Sequence, residues 1–228
     1  MPEIRQPAVP PALRAAIGRD LQPIRPLPRP LVRALWLSPF AALLLVSSEA
    51  AFGLRPDSPA LGVALTWGAS SLQMLLGLAL VAAALREAVP GTTLTRRALG
   101  GAFAAVAVAI VAITWTTWSL SPTRVAPRAV AFVWRICFGA TILTALPALA
   151  MSGWLVARAF PLRPRVAGAL YGLGAGLLAD AGWRLFCHYS DPAHVIGAHT
   201  AAVVVTCALG AITAQFLAQA DRRAARLG

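Results

Sequence analysis

Six long apolar runs, at about 34–52, 61–85, 98–120, 130–157, 165–186 and 195–218, leave this chain few ways to fold. Each has roughly the 20 residues that a helix needs to cross a hydrocarbon core of about 30 Å. In lipid a backbone must satisfy its N–H and C=O groups internally, and continuous apolar runs of this length do so as helices. The expected fold class is all-α: a polytopic membrane protein with six transmembrane helices in a bundle, 34–218. A leader, 1–33, precedes the bundle and a short basic tail, 219–228, follows it. Composition agrees. The chain is 58% hydrophobic and 12% charged, with a mean hydropathy of +0.71, values that exclude an ordinary soluble domain. The first apolar run follows a Pro- and Arg-rich stretch without a small-x-small cleavage site behind it, so it reads as a retained helix.

A net charge of +12 would suggest nucleic acid in a soluble chain, but here it is first a topology signal. All 20 basic residues are arginine. Fifteen fall in the leader, 86–97, 158–165 and the tail, against four in the alternate connectors (Arg55, Arg124, Arg128 and Arg184). The positive-inside rule then puts both termini on the cytoplasmic side and the Cys187–His199 stretch outside. The bilayer is the expected surrounding, and no direct contact with nucleic acid is expected.

The leader is Pro-rich, but Pro11 suits a helix start, and Leu13, Ile17 and Leu21 recur at helical spacing to form one apolar stripe. A helix of about ten residues is marginal alone and generally folds against a surface. The candidate partner-binding residues are Leu13, Arg14, Ile17, Asp20 and Leu21; an unstructured leader that only fixes topology is the other reading.

Charged groups are costly in lipid and find partners or a wet cavity. Four lie in or beside the runs: Glu49, Arg135, Asp180 and Arg184. Asp180 and Arg184 are an i, i+4 pair, and Glu49 with Arg135 is an expected interhelical pair. Gly168, Gly172 and Gly176 repeat at four-residue spacing, as close helix packing requires.

Cys137 and Cys187 are expected at similar depth, near the outer end of the fourth and fifth helices. There a disulfide or a transient soft metal would join the two helices; two unrelated buried thiols are the alternative. His188, His194 and His199 surround Cys187 and add candidate ligands, or else act as interfacial polar groups or a pH sensor. For Cys207, mid-helix, a buried thiol is expected. No P-loop, HExxH, nucleophile elbow or paired carboxylates are present, so no catalytic residue is assigned and the chain is not read as an enzyme.

The residues resemble the six-helix membrane anti-sigma factors known as negative regulators of sigma F. The likeness runs through Asp20-Leu-Gln-Pro-Ile-Arg-Pro-Leu-Pro28, Gly53-Leu-Arg-Pro-Asp57, Ala88-Val-Pro-Gly91 and Cys137 with Leu146-Pro147. It continues in Leu162-Arg-Pro-Arg-Val-Ala-Gly168 and Cys187-His-Tyr-Ser-Asp191 with His199 beyond. Ala198 stands where an aromatic residue would be expected. The resemblance implies an extracytoplasmic-function sigma factor held at the inner membrane by the cytoplasmic leader and released under stress. It makes Cys137 and Cys187 the sensor cysteines. A small transporter or metal-handling membrane protein, using Arg135, Asp180 and the histidines, is the rival reading.

Overall fold

The computed structural model describes residues 10–20, 27–122, 130–159 and 161–227, and among these the chain is helical without a strand. A short helix, α1 (Pro11–Asp20), lies in the leader. Its Leu13 and Ile17 are exposed, as is Arg14, so the apolar stripe has no partner among the described residues. Asp20 closes α1, and Leu21 lies outside the described residues.

The long helices are α2 (Pro30–Phe52), α3 (Ser58–Glu87), α4 (Arg96–Leu120), α5 (Val130–Ala157), α6 (Pro164–Phe186) and α7 (Pro192–Ala220). Their ends follow local chemistry. Proline opens α2 and α6, where its missing N–H costs nothing. Thr95 caps α4 by accepting from the Ala98 N–H, and Gly53 ends α2 at φ +76°. α2 begins before the apolar run because the Arg33 guanidinium is buried and donates to the Leu155 carbonyl of α5.

Five of these helices are long and apolar enough to cross a membrane: α2, α3, α4, α5 and α7. The fifth run of the sequence, α6, is of similar length but diluted by glycines, Asp180 and Arg184. Its position explains the difference. α6 is buried along nearly its whole length and packs on α7, α3, α5 and α2, so it presents little surface to any solvent. α4 is the opposite case, with only 17% of its apolar window covered.

Small residues allow this enclosure. A Cβ on Gly168 would overlap the Gly210 carbonyl of α7, and one on Gly172 the Thr206 carbonyl. The glycine repeat therefore packs within the chain. Successive helices alternate in direction. One end of the bundle holds the start of α2 and the α3–α4 and α5–α6 turns; there Arg163 forms a two-point ion pair with buried Glu87 at 2.6 and 2.8 Å. The other end holds the α2–α3 and α6–α7 connections and the polar residues considered next.

Candidate functional site

The α6–α7 connection is built by caps and a widened turn. Cys187 caps the C-terminus of α6, its N–H donating to the Trp183 carbonyl. Asp191 caps the start of α7 by accepting from the His194 N–H at 3.1 Å, with Pro192 in the first turn. Val195–Thr200 then forms a π-helical turn, a feature that concentrates at functional sites because it re-aims side chains. That turn carries His199. Gly197 within it lies against the Trp134 indole of α5, so closely that a Cβ would overlap the ring.

Cys137, about two turns into α5, meets this connection. Cys137, Cys187, His194 and His199 are all buried, and one ligand atom from each lies within 4.8 Å of the others. Cys187 Sγ is 3.4 Å from His194 Nε2. Trp134, Phe138, Val133 and Tyr189 wall the cluster with apolar surface. A small cavity lined by Arg55, Thr114, Thr117, Arg184, Tyr189 and Ser190 opens onto Cys187 and His199.

Asp180 anchors the cluster from below. Its carboxylate accepts from Gln73 at 2.6 Å and from Arg184 at 3.0 Å, and bonds to His199 Nδ1 at 2.7 Å. The Asp180–Arg184 pair is therefore formed as the spacing implied. The Glu49–Arg135 pair is not. Both side chains are exposed, no ion pair joins them, and Arg135 instead donates to the Ala131 carbonyl one turn back. Apolar surface of two helices does not bring their single charges together unless the helices pack there, and α2 packs on α6. His188 also stays outside the cluster, stacked on Tyr189 with ring centroids 4.1 Å apart. Cys207 sits apart on α7, half-buried.

A second polar knot braces the same end. Arg55 binds Asp57 through two points at 2.5 and 2.8 Å and also donates to Ser190 Oγ, while Ser121 donates to Asp57 at 2.9 Å. The Arg55 N–H donates to the Leu185 carbonyl. This knot joins the α2–α3 connection to the residues after Cys187. Burial alone would raise the Asp57 pKa, but the Arg55 pair and the Ser121 hydroxyl more than reverse it, holding it below its ordinary 3.8.

The family model for negative regulators of sigma F matches residues 17–219, from within α1 to the last turns of α7. The chain belongs to this family. No curated protein and no solved structure matches it. As a negative regulator of sigma F it has a sigma factor as its partner. In this regulator, sequence reasoning missed Gln73, the Asp180–His199 bond and the Arg55–Asp57–Ser190 knot. Gln73 left a signal, as a lone amide inside an apolar run. Asp57 and Ser190 lie in segments that carry the family likeness, but nothing in the sequence pairs them, because two short polar loops meet only in the fold.

Proposed function

We propose that this chain is a membrane anti-sigma factor that crosses the inner membrane six times with both termini in the cytoplasm. It holds an extracytoplasmic-function sigma factor through residues 1–33. It releases that factor when a periplasmic redox or metal signal reaches Cys137 and Cys187. The observation that carries the reading is the family match over 17–219. The exposed Leu13/Ile17 stripe on α1 supports the leader as the binding segment, since an amphipathic helix can lay such a face into a partner's groove. The enclosure of α6 supports its counting as a sixth span, because a helix surrounded by helices needs less apolar surface than one facing lipid.

The geometry also offers a route from signal to partner. Cys137 and Leu155 lie near opposite ends of α5, and the Leu155 carbonyl receives Arg33, where the leader enters α2. Two-electron oxidation of the thiol pair, with the electrons and two protons passing to a thiol oxidant, or metal binding, would re-seat α5 against α6. A tenfold loss of grip on the sigma factor needs a coupling of only about 1.4 kcal/mol.

The test is capture of full-length tagged protein from solubilised membranes beside a version lacking residues 1–33. A sigma factor eluting with the first and not the second is expected. If neither retains a sigma factor, the anti-sigma reading fails. In cells, Cys137→Ser is expected to hold the factor and to blunt its release under metal or oxidant stress; normal release would overturn the sensor assignment.

A further inference from the structure

We propose that Cys137, Cys187, His194 and His199 form a four-ligand site for one divalent cation of the zinc class, with Asp180 as its positioning group. The inference deepens the sensor reading and rests on it for its consequence in the cell, while the site itself rests on the geometry. The donor set is two sulfurs and two imidazoles, the combination that selects a tetrahedral, thiophilic ion. Ligand atoms 2.0–2.3 Å from one tetrahedral ion lie about 3.3–3.8 Å apart. The four donors here lie within 4.8 Å of one another, and Cys187 Sγ with His194 Nε2 already stand at 3.4 Å. Closing the set around an ion takes side-chain adjustments of about an ångström.

The second observation is an unused one. His199 Nε2 is buried without a hydrogen-bond partner while its Nδ1 is held by Asp180 at 2.7 Å. A carboxylate on one ring nitrogen fixes the tautomer and ring orientation so that the other nitrogen is free to ligate, the usual support of a metal-bound histidine. Buried polar atoms are rarely left alone, and an ion supplies the missing partner. Charge also closes. Binding converts two thiols to thiolates and releases two protons to solvent, so the thiolates balance a divalent ion, while Asp180 balances Arg184. His188, stacked on Tyr189, takes no part. The ligands come from α5, the C-cap of α6 and the first turns of α7, so an ion there fastens three helices at one end.

The experiment uses full-length protein in detergent with reductant, stripped with chelator and titrated with cobalt(II). One equivalent should saturate an intense visible absorption of tetrahedral cobalt with a near-ultraviolet sulfur-to-metal band, and zinc should displace it. Cys137→Ser and Cys187→Ser should each weaken the sulfur band, and His188→Ala should leave it unchanged. Asp180→Asn should keep the band shape but lower affinity 10–100-fold. A wild-type protein without the sulfur band, or a band that survives loss of both cysteines, overturns the site. Sigma-factor capture on the reduced, chelator-stripped portion of each preparation, before cobalt is added, separates the two readings. A cobalt band without a retained sigma factor upholds the site and sinks the anti-sigma function; a retained sigma factor without the band does the reverse.

Discussion

Asp57 illustrates how much one buried side chain carries at the cysteine end. Its carboxylate neutralises Arg55 and accepts from Ser121, so Asp57→Asn leaves a buried guanidinium without its counter-ion. Breaking such a pair costs about 3–5 kcal/mol. Thermal unfolding in detergent should show Asp57→Asn destabilised by about that amount near pH 7. The sign of the pH dependence follows from a pKa lowered by folding. The stabilisation is complete well above the ordinary value of 3.8 and fades as pH falls below it, so wild type and variant should converge in acid. A gap that stayed constant with pH would show that the pair contributes through shape alone. Gly197 matters through the side chain it lacks. Gly197→Ala must push the Trp134 ring off the π turn, at a cost of about 1–3 kcal/mol, and should raise the alkylation rate of Cys137 in the folded protein.

At the scale of elements, the sequence is most legible where one helix acts alone. The i, i+4 pair Asp180–Arg184 and the glycine repeat are both visible as spacing, because the partners lie on one helix face. The Asp180–His199 bond is not, since a turn of unpredicted width separates the two residues. Helix counting puts the two cysteines at one depth, and the structure brings them together. The expected Glu49–Arg135 pair fails because depth fixes only height, and which helices touch is decided by packing. The glycine interface gives its own prediction. Gly172→Ala places a methyl against the Thr206 carbonyl and should lower the melting temperature through overpacking of about 1–3 kcal/mol. A corresponding change at Gly100, inside α4 where a Cβ meets open space, should not lower it.

Over the whole molecule, the uneven placement of arginine carries the proposed orientation. Pro122 and Thr92 are exposed and lie in connections at opposite ends of the bundle. Pro122→Cys should react with an impermeant maleimide on intact cells, and Thr92→Cys only after permeabilisation; the reverse pattern would invert the topology. The same view gives the enclosure of α6 a meaning for biogenesis. A segment diluted by glycine and by Asp180 gains little from entering lipid on its own, whereas the neighbours that surround it gain a good deal. On the six-span arrangement, α6 therefore enters the bilayer late, drawn in as one hairpin with α7, and a ribosome that stops after Phe186 leaves it stranded. The polar residues of the proposed sensor are then assembled last, so that only a completed chain brings them together.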